Sequence, residues 1–207
     1  MLMGMVAVVM MFVAGTHPKW LLTGAGAAAV FVVVYITFMG YAGDRVTAWL
    51  HPEQDPADTG YQILQSLYAI GSGGLFGLGF GKSRQKYLYL PFQYNDYIFA
   101  VICEELGLIG ALMILALFGA LILRGYRIAL QARDRFSTVL AAGLVTLIAL
   151  QTILNLCVVT NLLPSTGIAL PFFSYGGTAL AVNLGEMGVV LGISRYGGRA
   201  KRQEETL

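Results

Sequence analysis

The sequence predicts an all-α polytopic membrane protein: a helical bundle with one large extracytoplasmic loop that contains an interfacial helix. Of its 207 residues 57% are hydrophobic and only 12% charged, about half the ~25% that soluble domains carry. The charge is also segregated, because acids and bases gather between long apolar blocks. The placement of Lys and Arg then orients the spans, since basic residues in short loops stay cytoplasmic.

Crossing the ~30 Å hydrocarbon core takes about 20 apolar residues. Residues 1–14 fall short of that and read as a partial span; with the first basic side chain only at Lys19, they do not make a standard export signal. They look like the second half of a helix in a longer protein. Residues 20–43, 97–123, 138–160 and 178–194 are the expected spans. Between the middle pair lie Arg124, Arg127, Arg133 and Arg135, and the tail 195–207 carries Arg195, Arg199, Lys201 and Arg202. Both regions are therefore expected in the cytoplasm, which leaves loops 44–96 and 161–177 facing outward. The whole of 1–207 reads as a single membrane domain, the C-terminal half of a ten-span protein once the family below is considered.

The net charge of +2 offers no basic stripe for nucleic acid. Cys103 and Cys157 lie inside apolar spans, where they read as small core residues. His17 and His51 fall in different loops without metal-ligand spacing, so no protein-held metal is expected.

The outward loop 44–96 is the one segment large enough to form a site. In "YQILQSLYAI", Ile63, Leu64, Leu67 and Ile70 recur at helical spacing with Gln62, Gln65 and Ser66 mostly opposite, which suits a short interfacial helix. Six glycines follow between Gly71 and Gly81; such density permits irregular backbone, tolerated at membrane depth only when buried in protein or lining a cavity. The second loop, "NLLPSTGIALPFFSYGG", is apolar enough to dip back toward the bilayer.

Two short motifs mislead. "GLGFGKS" lacks the first glycine of a phosphate loop, with Phe76 in its place, and no strand precedes it. "LPSTG" matches a sortase pentapeptide, but three spans rather than a secreted domain come before it, so it reads as a proline turn.

The stretch "LPFQYNDYIFAVICEELG" holds the remaining chemistry. Asn95 or Asp96 stands where a helix cap belongs, and a carboxylate such as Asp96 beside basic groups at an interface is also placed to take a proton from a hydroxyl. Lys82, Arg84 and Lys86 read either as headgroup contacts or as a grip on phosphate. Glu104 lies about 12 Å along the helix from Asp96, where an unpaired carboxylate costs several kcal/mol. Glu104 can share the loop-facing side with Asp96, whereas Glu105 points away and reads as an internal fastening of the bundle.

The segments "RVTAWLHPEQDPADTGYQILQSLYAIGSGGLFGLGFG", "SRQKYLYLP", "NDYIFAVICEELGLIG" and "NLLPSTGIALPFFSYGGT" together resemble the shape, elongation, division and sporulation (SEDS) family, which includes FtsW, RodA and SpoVE. "GFGKSRQK" and "LPFFSYGGT" are more similar to FtsW or SpoVE than to RodA. Asn161, Pro164, Gly167, Ser174, Gly176 and Gly177 match the family's signature. The resemblance implies a bacterial inner-membrane peptidoglycan glycosyltransferase that polymerises lipid II, an undecaprenyl-diphosphate-linked disaccharide pentapeptide, on the outer face. It implies Asp96 as general base on the acceptor hydroxyl, with Lys86, Lys82 and Arg84 as candidates for the diphosphate. Gln85, Gln62, Ser174 and Glu104 complete the expected substrate-binding set. No cofactor is certain; a divalent cation, Mg or Mn, is left open. The implied protein partner is a single-span class B penicillin-binding transpeptidase. Phe92, Tyr94 and Asn95 depart from the family's Glu, His and Thr ahead of the aspartate. Two rival functions share these features: a flippase for lipid-linked precursors, and a non-catalytic scaffold for the transpeptidase.

Overall fold

The computed structural model describes residues 2–17, 19–20, 22–24, 26–27, 48–54, 59–83 and 96–204. The described residues are helical or irregular: α1 (Leu2–Val13), a 3-10 turn (Pro52–Gln54), α2 (Thr59–Gly73), α3 (Ile98–Leu130), α4 (Arg135–Val159) and α5 (Gly177–Glu204). Among the described residues three helices are long and apolar enough to cross a membrane: Ile98–Leu130, Arg135–Val159 and Gly177–Tyr196. They coincide with three of the four expected spans; the other, 20–43, lies almost wholly outside the described residues. The expected span 97–123 stops short of the end of α3. Arg124 and Arg127 close the apolar run without closing the helix, because Arg is a good helix former and no Pro or Gly interrupts the turn from Tyr126 to Leu130.

The chain divides into two compact units. The first comprises Met1–Ala28, Leu117–Leu150 and Gly177–Leu207. Its α3 and α4 segments approach closely at Gly125, where a Cβ would run into the Val145 side chain. At the next residue of each helix, the Tyr126 hydroxyl pairs with Thr146 Oγ1 at 2.8 Å, and Thr146 donates to the Ala142 carbonyl at 2.7 Å. Ala129, Ala141 and Ala142 form a buried cluster with Ile193 packed against it. Small residues are what such contacts need, since apolar bulk gains little between helices already surrounded by lipid.

α4 starts on Asp134. Its carboxylate accepts the Ser137 amide at 2.9 Å and the Ser137 hydroxyl at 2.8 Å, which satisfies an orphan donor of the first turn. The Ser137 amide, chief among these contacts, holds the Asp134 carboxyl below its ordinary pKa.

The second unit comprises Ala29–Ala116 and Gln151–Gly176. In α2 the buried face is Ile63, Ser66 and Ala69, with Leu64, Leu67 and Ile70 only half-buried. The expectation that Ser66 sits on the polar side is therefore corrected. Its hydroxyl reaches the Ile63 carbonyl at 2.8 Å and the Val159 carbonyl at 3.1 Å. Beside Ile63 the helix packs by the small residues Ser66 and Ala69, where close approach of backbone outweighs hydropathy; farther on, Gly73 meets the Cys103 carbonyl so tightly that no Cβ would fit.

α3 is interrupted at Gly107, whose φ of 68° and ψ of −170° are outside the helical region and open essentially to glycine alone. The break leaves backbone groups without helical partners, and the glycine-rich stretch after α2 supplies them. Leu78 N donates to Glu104 O (2.9 Å), Gly79 N to Glu105 O (3.1 Å), Leu108 N to Gly74 O (2.9 Å) and Ile109 N to Leu75 O (3.3 Å). A Cβ on Gly107 would strike the backbone of Gly77 and Leu75, and one on Gly77 would strike the Glu105 carbonyl. The irregular backbone that the glycines permit thus pairs with both sides of the break.

The break also bears on the acids. From Leu108 to Leu123, where Arg124 ends the apolar run, α3 rises only about 24 Å, short of the ~30 Å hydrocarbon core. Glu104 and Glu105, just ahead of the break, are buried in protein.

Candidate active site

The polar residues of interest collect in the second unit, around the start of α3 and the loop after α4. α4 ends in a Schellman motif: Leu162 N donates to Cys157 O at 2.7 Å and Asn161 N to Val158 O at 3.0 Å. Asn161 occupies the left-handed position, φ 58°, which asparagine tolerates better than most side chains. Its carbonyl accepts the Trp49 indole N–H at 3.0 Å, tying the segment before the 3-10 turn to the end of α4. Pro164 then keeps the chain from resuming a helix.

From there the loop returns beside α3. A Cβ built on Gly167 (φ 67°) would sit 3.7 Å from Asp96 Oδ2, so the half-buried aspartate lies against the backbone of the signature loop. Beneath it, Asn155 on α4 is fully buried and donates through Nδ2 to the carbonyls of Asp96 (2.7 Å) and Ile168 (2.8 Å). α3 begins at Ile98, so Asp96 stands one residue ahead of the flanking Tyr97, close to the capping position expected of it.

Ser174 closes a turn within the same loop. Its Oγ accepts the Leu170 amide at 2.7 Å and its own amide donates to Leu170 O at 3.1 Å. Inside that turn Phe172 holds φ 65°, a costly conformation for an aromatic residue that the flanking hydrogen bonds sustain.

Glu104 is 1% exposed and accepts a short hydrogen bond from the Ser83 hydroxyl. Ser83, itself buried, adjoins the exposed Lys82, whose amide donates to the Gly79 carbonyl at 3.1 Å. The glycine stretch and Glu104 therefore anchor the start of the basic segment. Glu105 is buried too, but its fastening to the loop passes through its backbone carbonyl; its Oε1 has no hydrogen-bond partner among the described residues. Gln62 is half-buried on α2. Arg84, Gln85 and Lys86 lie outside the described residues, as do Phe92, Tyr94 and Asn95.

Asn155 and Ser83 were not singled out from the sequence. The signal for Asn155 was present, as an amide inside the apolar run "LQTILNLCVV"; a polar side chain there needs a partner. Nothing local marked Ser83, whose partner is 21 residues away.

Long apolar helices, a broken helix stapled by a glycine loop, and an aspartate held against a proline- and glycine-bearing loop define a polytopic membrane protein whose polar residues gather at the start of α3 and the end of α4. The chain belongs to the FTSW_RODA_SPOVE family of cell cycle proteins, whose sequence model matches residues 1–198. It is 46% identical to a protein named probable peptidoglycan glycosyltransferase FtsW from Geobacter sulfurreducens, over 93% of this chain and 52% of that protein. It is 48% identical to stage V sporulation protein E of Bacillus subtilis, over 91% and 52% respectively. Among solved structures, it matches a chain from work on the structural coordination of polymerization and crosslinking by a peptidoglycan synthase complex. That match has a TM-score of 0.73 and 31% identity, and covers 90% of this chain and 52% of the other. A rod shape-determining protein RodA from Thermus thermophilus, crystallised as an aspartate-to-alanine mutant, matches with a TM-score of 0.50 and 34% identity over 63% of this chain and 39% of that one. The chain is of the FtsW and SpoVE type, and it spans about half the length of the curated relatives it matches.

Proposed function

We propose that the protein containing this chain is a glycosyltransferase that polymerises lipid II, with Asp96 as the general base. The observation that carries the reading is the placement of Asp96, half-buried at the mouth of α3, its carboxylate beside Gly167 and its carbonyl held by Asn155. A carboxylate so placed can accept the proton of the attacking sugar hydroxyl while the lipid diphosphate departs from the donor. Lys82 and the adjoining Arg84 and Lys86 carry the positive charge that the leaving diphosphate needs. The name carried by the Geobacter relative supports the reaction class.

The loops 44–96 and 161–177 face the outer side of the membrane in this reading, because the exposed Arg124, Arg127, Arg133 and Arg135 mark the other end of α3 and α4 as cytoplasmic. Among the described residues no three His, Cys, Asp or Glu come together, so these residues offer no preformed cage for Mg or Mn. Such a cation would enter with the substrate's diphosphate, its usual carrier. The peptidoglycan synthase complex among the structural matches supports a penicillin-binding transpeptidase as partner.

The test is polymerisation of purified lipid II by the full reading frame that contains this chain, reconstituted in liposomes. Asp96→Asn keeps the shape and removes the base, and kcat is expected to fall about 10²–10⁴-fold. Normal polymerisation by Asp96→Asn would overturn the assignment. Translocation of labelled lipid II without polymerisation would favour the flippase, and wild-type protein inactive in both assays would favour the scaffold.

A further inference from the structure

We infer that Asn155 is a positioning residue for Asp96, acting through the backbone of two segments that meet above it; the inference rests on the reading of Asp96 as base. A primary amide nitrogen carries two hydrogens in a fixed planar fork. Both face carbonyl oxygens here, Asp96 O at 2.7 Å and Ile168 O at 2.8 Å, from segments 59 and 13 residues away in sequence. Two carbonyl partners leave no ambiguity about which end of the amide is nitrogen. The side chain is 0% exposed, so it reaches neither solvent nor substrate and can act only by holding what it touches.

What it touches is the base's own peptide unit and the residue that follows Gly167. The Asp96 carboxylate lies over that glycine, so the two hydrogen bonds fix the gap in which the carboxylate stands. α4 is the rigid support: Asn155 lies within its last two turns, and the helix end is closed by the Asn161 cap. Asn155 Oδ1 has no hydrogen-bond partner among the described residues. With its oxygen unpaired among them, the amide acts here through its fork of donors.

The experiment compares Asn155→Leu, which keeps the branching at Cγ but is bulkier and has no donors, with Asn155→His, whose ring N–H can restore one of the two bonds. Both are made in the full reading frame, purified as monodisperse protein and assayed with lipid II per folded molecule. Asn155→Leu is expected to lose about 10²-fold in kcat, the scale of a ~1 Å misplacement, with KM changed less than about threefold. Asn155→His should recover part of that loss. Amide exchange should quicken in 96–101 and 167–170 but not in the middle of α4. Thr146→Val, in the other unit, controls for loss of a buried polar group and should leave kcat unchanged.

If folded Asn155→Leu turns over at the wild-type rate while Asp96→Asn is dead, the positioning role is wrong and the base assignment stands. If Asp96→Asn itself is fully active, both fall. Should Asn155→Leu not fold, Asn155→His decides: wild-type kcat with unchanged exchange refutes the inference, and a kcat-specific loss supports it.

Discussion

Replacing Gly107 with alanine sets two effects against the fold at once. A side chain at φ 68°, ψ −170° is strained, by about 1–3 kcal/mol, and its Cβ meets the backbone of Gly77 and Leu75, which cannot swing aside as a side-chain tip can. The relief available is to straighten α3 and expel the glycine stretch. That forfeits the bonds from Leu78, Gly79, Leu108 and Ile109, at about 1 kcal/mol each. With the strain so relieved, the cost is that of the four bonds, roughly 4 kcal/mol, a large share of the ~5–15 kcal/mol by which a domain is stable. A drop in melting temperature on the order of 10 °C is expected in detergent, with amide exchange accelerated at 74–79. Gly119 supplies the control, for it lies in the same helix with open space around its Cα; Gly119→Ala should be neutral or gain up to ~1 kcal/mol from helix propensity. Identical melting of the Gly107→Ala and Gly119→Ala proteins would refute the account of the break as a stapled joint.

Gly125→Val forces a branched side chain into Val145 and should cost about 1–3 kcal/mol; Val145→Ala should restore most of it, a coupling read from a double-mutant cycle of melting temperatures. The pH dependence of the α4 start follows from Asp134, whose folded pKa lies below the ordinary 3.8. A lowered carboxyl stabilises the folded state above the unfolded pKa and loses that contribution as pH falls through the folded one. Below about pH 4, exchange at Ser137 and Thr138 should therefore quicken in the native protein relative to Asp134→Asn, which caps without titrating; equal acid responses would count against the cap.

Much of the architecture was legible because it rests on composition. Spans 97–123, 138–160 and 178–194 correspond to α3, α4 and α5, since a long apolar run has few other ways to satisfy its backbone in lipid. α2 was legible from its 3.6-residue period, and Ile63 is buried as that period implies; Ser66 and Ala69 face inward beside it because small side chains let backbones come close, a property hydropathy does not measure. The glycines between Gly71 and Gly81 announced irregular backbone without saying what it would pair with. Asp96 came from the resemblance rather than from spacing, and its proximity to Gly167 depends on a loop more than 60 residues further along the chain.

By itself, then, the sequence determined a polytopic helical protein, the ends that carry positive charge, the family, and the short list of acids and bases worth attention. These follow from local properties: hydrophobicity summed over a span, charge beside it, motif order. The tertiary structure alone decided that α3 is broken at Gly107 and mended by a loop from before it, that Glu104 is held by Ser83, and that Asn155 joins Asp96 to Ile168. Each of those is a hydrogen bond between residues distant in sequence, and such a bond exists only once the chain has brought both partners out of water and within reach.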